Sequence, residues 1–186
     1  MPGFGWRSMG ALHAKAVTTP AKVTAATSKY TAGIYRTAYS GWPSQNTAST
    51  TFFATGTVTG HSVVNNFDVS LTAAQVNIAY QWLGYIKPNY SGNWSIYASP
   101  DDTVTVWIGS NAVSGFTTGN AVLNLSDTAG TSGNINLNAG TYYPIRVQYA
   151  NNQGTGSLSI LYTNSHATNS DTWTNLLYYN PATNGF

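Results

Sequence analysis

Asp101 and Asp102 stand side by side directly after Pro100, and they are two of only five acids in a chain of 186 residues. Adjacent carboxylates suit a short list of chemistries. Glycoside hydrolysis would need two carboxyl groups about 5–9.5 Å apart with distinct proton affinities. The sequence offers no other obvious pair for that work. Calcium takes 6–8 oxygen ligands and needs neither sulfur nor imidazole, so the pair fits a hard cation. The inert alternative is a polar turn entering a strand. In a regular strand neighbouring side chains point to opposite faces, so two consecutive Asp could not ordinarily share one ligand.

Other chemistries find little support. With no Cys, the chain has neither disulfide nor thiolate nucleophile nor sulfur-bound zinc. His13, His61 and His166 show no metal-ligand spacing and are expected at the surface. No G-x-S-x-G elbow or Walker loop occurs, and Gly3-x-Gly5 lacks the preceding strand of a dinucleotide fingerprint. A non-catalytic role is expected.

The elements that would position Asp101 and Asp102 read as strands. Charged residues make up 6% and aromatic residues 13% of the chain, which disfavours helices built on Glu–Lys pairs. Val76, Ile78, Tyr80 and Trp82 alternate before Gly84 and Lys87-Pro88-Asn89 punctuate. Trp94 and Ile96 open a second strand, Val104, Val106 and Ile108 a third, and Gly109-Ser110-Asn111 turns the chain. Ile135 and Leu137, then Ile145, Val147 and Tyr149 against Arg146 and Gln148, then Leu158, Ile160 and Tyr162 continue the pattern. Turns recurring about every ten residues predict an all-β fold, an antiparallel two-sheet β-sandwich over residues 30–165. One parity of these strands places Ile78, Tyr80, Ile96, Val104, Val106, Ile145, Val147 and Ile160 in the core.

Residues 1–29 differ in kind. They hold Arg7, Lys15, Lys22 and Lys29 with no acid and show no sustained period. They read as an extended basic N-terminal arm lying on its own body or a neighbouring subunit, with Phe4, Trp6, Met9 and Leu12 as apolar anchors. Four cations so spread make a thin footprint for nucleic acid, which is not an expected partner. His13 and Lys15 split the best apolar stretch, so no secretory signal is recognised, and no run reaches the roughly 18–20 apolar residues of a membrane-spanning helix. Residues 166–186 read as a C-terminal extension packed on the sandwich or a neighbour. Asn89-Tyr-Ser, Asn93-Trp-Ser and Asn124-Leu-Ser fit the glycosylation sequon.

The segment from Trp82-Leu-Gly-Tyr-Ile-Lys-Pro through Tyr90-Ser-Gly-Asn-Trp to Pro100-Asp-Asp-Thr-Val-Thr-Val-Trp-Ile-Gly109 resembles the central signature of the PA14 family. Leu137-Asn-Ala-Gly-Thr-Tyr-Tyr-Pro-Ile-Arg-Val147 is similar to its second hallmark, and Tyr30-Thr-Ala-Gly-Ile-Tyr-Arg to its opening strand. The resemblance implies a β-sandwich module of toxins, glycosidases and yeast adhesins, commonly used for carbohydrate recognition. In the adhesin branch the Asp pair, joined by a cis peptide, binds calcium together with a second loop. Here that implies Asp101, Asp102 and the Asn151 side chain as ligands, with Gln153 and Thr155 supplying backbone carbonyls. Thr103 follows the pair where many members have Gly. Asn152 and Trp107 are candidates for sugar contact, although Trp107, like Trp82 and Trp94, has sheet packing as its competing reading.

Two functions are therefore expected. One is a calcium-dependent carbohydrate-binding or adhesive module at an extracellular or virion surface. The other is a structural minor capsid or surface protein of a virion, using sandwich and arm for contacts with neighbouring subunits.

Overall fold

The computed structural model describes residues 29–43, 50–166 and 173–186. The strands in chain order are β1 (Thr31–Ala32), β2 (Ile34–Ser40), β3 (Thr57–Val64), β4 (Val69–Ser70), β5 (Ile78–Ile86), β6 (Gly92–Asp101), β7 (Thr103–Ile108), β8 (Leu123–Ser126), β9 (Gly130–Thr131), β10 (Ile135–Leu137), β11 (Tyr143–Asn151), β12 (Ser157–Asn164) and β13 (Leu177–Tyr179). Among the described residues two short α-helices, α1 (Thr50–Thr55) and α2 (Ser110–Val113), and a 3-10 turn at Thr118–Asn120 lie in the connections. An eight-stranded sheet runs β1-β13-β5-β11-β7-β8, with β2 also on β5 and β3 on β2; a five-stranded sheet runs β10-β6-β12-β4, with β9 on β6. Every strand pairing is antiparallel.

The smaller sheet follows the period-2 rule closely. Along β6, Trp94, Ile96, Ala98 and Pro100 are buried while the residues between them are not, and Leu158, Ile160 and Tyr162 of β12 share that inner face. They meet Trp82, Val104, Val106, Ile145, Val147 and Tyr149 from the larger sheet. Six of the eight expected core residues are buried; Ile78 and Tyr80 are half-buried and pack against the margin of the cluster. Val76 precedes β5 and is exposed.

The larger sheet departs from simple alternation, because β11 is buried along both faces from Ile145 to Asn151. Arg146 and Gln148 look outward by parity yet are covered. The Arg146 Nε donates to the Ala112 carbonyl at 2.7 Å, and its Nη1 donates to Gln81 Oε1 at 2.7 Å. The guanidinium also lies 3.9 Å from the centre of the Phe116 ring. Burial lowers the Arg146 pKa to about 10. Further along that face, Tyr39, Phe53, Ala79 and Ala150 form a second apolar cluster.

Gly84 does not end a strand. It lies inside β5, where a Cβ would run into the Tyr178 carbonyl, so a side chain is excluded by the close passage of β13. The C-terminal residues are built into the sandwich: β13 pairs with β5, and Trp173, Leu176 and Leu177 belong to the main core. The Trp173 indole N–H donates to the Ile160 carbonyl at 2.8 Å, tying this segment to the opposite sheet.

Truncating Leu177 to Ala should lower the unfolding free energy in urea by about 2–5 kcal/mol, as expected for a fully buried leucine. A loss below about 0.5 kcal/mol, the range of surface substitutions, would contradict the placement of β13 in the core.

Candidate functional site

Four connections that pass from one sheet to the other meet at the same end of the sandwich. They are β4 to β5, β6 to β7, β8 to β9 and β11 to β12, as the strand order and register require. Asp101 closes β6, Asp102 lies in the step to β7, and the peptide between them is cis. Asp127 follows β8 with a left-handed φ of 51°. Carboxylate oxygens of Asp101, Asp102 and Asp127 all lie within 4.8 Å of one another.

Backbone and side-chain groups hold this arrangement. The Asp127 N–H donates to the Asp102 carbonyl at 2.7 Å, and the Asn152 N–H donates to Asp102 Oδ2 at 2.7 Å. The Tyr149 hydroxyl donates to the Asp101 carbonyl at 2.6 Å. Burial raises the Asp102 pKa above the usual carboxylate range; the Asn152 N–H opposes this, while the Asp127 and Asp101 charges add to it. Burial, and then the Asp101 and Asp102 charges, push the Tyr149 hydroxyl well above its ordinary range, so it stays a donor.

Asn151, the last residue of β11, is wholly buried. Its Nδ2 reaches the Gln75 carbonyl at 3.4 Å, and its Oδ1 has no hydrogen-bond donor. An amide oxygen left unsatisfied in the interior costs about 1–3 kcal/mol, and a cation is one species that offsets such a cost. Gly156 backs the site closely: a Cβ there would lie 2.5 Å from Asn151 Cγ and 2.7 Å from both Asn151 Oδ1 and the Tyr149 hydroxyl. Between them, Gln153, Gly154 and Thr155 form an exposed loop, and the Asn152 carbonyl accepts from the Asn77 N–H at 2.9 Å. Carboxylate and amide oxygens with no sulfur or imidazole among them are the donor set of a hard divalent cation.

The Asp101–Asp102 step and the β11–β12 connection, which begins after Asn151 and exposes Gln153–Thr155, thus meet at one corner through the Asn152 N–H to Asp102 Oδ2. Asn152 is half-buried at the same corner. Trp107 does not belong there as a sugar platform. It is fully buried, with its indole N–H on the Thr117 carbonyl at 2.8 Å and its ring against Phe116, so no ring face is open to a ligand. Lys29 is exposed, its ammonium 5.4 Å from the centre of the Tyr30 ring. Phe4, Trp6, Met9, Arg7, Leu12, His13, Lys15 and Lys22 lie outside the described residues. His61 and His166 are exposed, stacked on Tyr35 and Tyr90 respectively. Sequence reasoning missed Asp127, whose only local signal is an acid at the end of a strand, ahead of Gly130.

Residues 78–164 match the GLEYA domain model. The A domain of epithelial adhesin 6 from Candida glabrata, solved with Galβ1-3GlcNAc, superposes with a TM-score of 0.66 at 17% identity, covering 79% of this chain and 86% of that one. The PA14 domain of the MpAFP antifreeze protein gives 0.59 at 14% identity over 89% of this chain and 96% of its own. This chain has the PA14-like fold. A PA14 sugar-binding domain from an RTX adhesin also superposes, with a TM-score of 0.57 at 14% identity, over 76% of this chain and 94% of that one. No curated protein sequence matches it. In this PA14-like sandwich the acidic corner occupies the end where the β4–β5, β6–β7, β8–β9 and β11–β12 crossings meet.

Replacing Gly156 with Ala should destabilise the fold by about 1–3 kcal/mol, because the added methyl must displace Asn151 or Tyr149. Thermal unfolding of the variant checks this, and an unchanged midpoint would contradict the close packing behind the site.

Proposed function

We propose that this domain is a non-catalytic, calcium-dependent carbohydrate-binding module that works within a larger surface assembly. The observation that supports the reading is the gathering of the Asp101 and Asp102 oxygens, with the buried, donorless Oδ1 of Asn151 one residue before the Asn152 N–H that bonds Asp102. These three side chains, with the backbone carbonyls of Gln153 and Thr155, would hold calcium. Bound calcium supplies coordination positions that neutral sugar hydroxyls can fill. Tyr149 fixes the backbone at Asp101, and Asn152 orients the Asp102 carboxylate through its N–H. The Asn152 side chain and the exposed Gln153–Thr155 loop beside it would contact the sugar. That two PA14-like neighbours carry a disaccharide or the description sugar-binding supports the carbohydrate class.

No helix among the described residues is long and apolar enough to cross a membrane. A cell or virion surface is the setting this reading implies. The assembly part rests on the basic, acid-free composition of residues 1–29, which suits an arm on neighbouring subunits. A minor capsid or virion surface role is the alternative that the same composition supports.

Calorimetric titration with Ca2+ should show one binding event that Asp101→Asn and Asp102→Asn each weaken more than about tenfold, since each removes a charge from an oxygen site. A glycan array that includes β-galactoside disaccharides should show binding lost in chelator and restored by Ca2+. Calcium binding without any glycan signal would favour the structural alternative. Titrations unchanged in both variants would overturn the metal assignment.

A further inference from the structure

The carboxylate of Asp127 comes from a third sheet crossing, separate from both the Asp101–Asp102 step and the β11–β12 loop. Its backbone is held by the N–H to the Asp102 carbonyl at 2.7 Å, and the Ser126 hydroxyl donates to Asp127 Oδ2 at 3.2 Å. Its left-handed backbone, a conformation that Asp and Asn tolerate better than most residues, turns the chain between the sheets. The outcome is an oxygen within 4.8 Å of those of both other acids. A second, independent observation points to a ligand at this corner. The fully buried Asn151 side chain presents an oxygen with no donor, packed where a Gly156 Cβ would also meet the Tyr149 hydroxyl that binds Asp101.

We propose that Asp127 is a third anionic ligand of the cation site, so that the site carries three carboxylates and the bound ion joins β8 to the β6–β7 corner. This rests on the calcium reading above. A site so charged holds a trivalent oxygen-seeking ion more tightly than a divalent one, because the Coulomb term with each carboxylate scales with the charge of the ion. Asp127 thereby sets selectivity as well as affinity. Its exposed position also leaves the ion reachable from solvent between β8 and the Gln153–Thr155 loop.

The test titrates the full chain with Ca2+ alone and with Tb3+ alone, following heat for the first and tyrosine-sensitised luminescence for the second. Asp127→Asn keeps the shape, the backbone N–H and the tolerance for a left-handed φ, so circular dichroism should match the parent. Asp68→Asn, an exposed acid outside the cluster, controls for net charge. Asp127→Asn should weaken Ca2+ by about tenfold and Tb3+ by about thirtyfold, the ratio of exponents following the ratio of ion charges. Asp68→Asn should change neither by more than about twofold at 0.15 M salt. Parent-like affinity of Asp127→Asn for both ions would overturn the assignment. So would an equal loss for both, which marks a structural role. If the parent chain bound neither ion, the calcium reading itself would fall, and this inference with it.

Discussion

Mutual repulsion among three carboxylates gathered within 4.8 Å is the constraint on which one whole end of the molecule turns. Like charges at such distances disfavour one another, the more so where water is partly excluded. The residues beside Asp101 and Asp102 in the chain and in the β11–β12 connection are mainly Asn, Tyr, Ser and Thr. The amide N–H of Asn152 and the hydroxyl of Tyr149 fix the geometry, but neither supplies a positive charge. A divalent cation does. On the proposed reading such an ion would also give Asn151 Oδ1 a partner.

The rest of the fold is arranged so that this corner is well determined. Asn77, Asn152 and Gly156 link the β4–β5 and β11–β12 crossings through backbone hydrogen bonds, including Leu71 N–H to the Gly156 carbonyl at 2.7 Å, and the Asn151 Nδ2 adds a side-chain bond to the Gln75 carbonyl. Behind them, β11 is the most deeply buried long strand of the larger sheet, packed inward through Ile145, Val147 and Tyr149 and outward through Arg146 and Gln148. That second buried layer stiffens the strand whose last residue is Asn151. Large aromatics such as Trp107 serve packing.

Much of the sandwich was legible because β6 and β12 alternate cleanly, and a half-buried antiparallel strand writes its two faces directly into sequence. The outer cover of β11 was not legible. Arg146 and Gln148 are polar, and only the three-dimensional placement of Gln81, Phe116 and the Ala112 carbonyl makes their burial tolerable. Gly84 reads as punctuation because a glycine needed for close passage and a glycine needed for a turn look alike in one sequence. For the candidate site, resemblance to a known pattern singled out the Asp pair and Asn151. Asp127 was not singled out, since β7–β8 pairing, a non-local event, carries it to Asp102. Trp173 and Leu177 follow the same logic: their run shows no alternation, yet pairing of β13 with β5 puts them in the core.

The most direct test of the claim that an ion ties the crossings together is amide hydrogen exchange measured with and without calcium. The amides of Leu71, Asn77, Asp127 and Asn152 belong to the corner, whereas those of Lys87 and Gly140 make comparable bonds at the opposite end. Local opening at the corner should be suppressed when the ion is bound. The account predicts that calcium slows exchange at those four amides while Lys87 and Gly140 are unchanged. Exchange unaltered at the corner, or slowed equally at both ends, would contradict it.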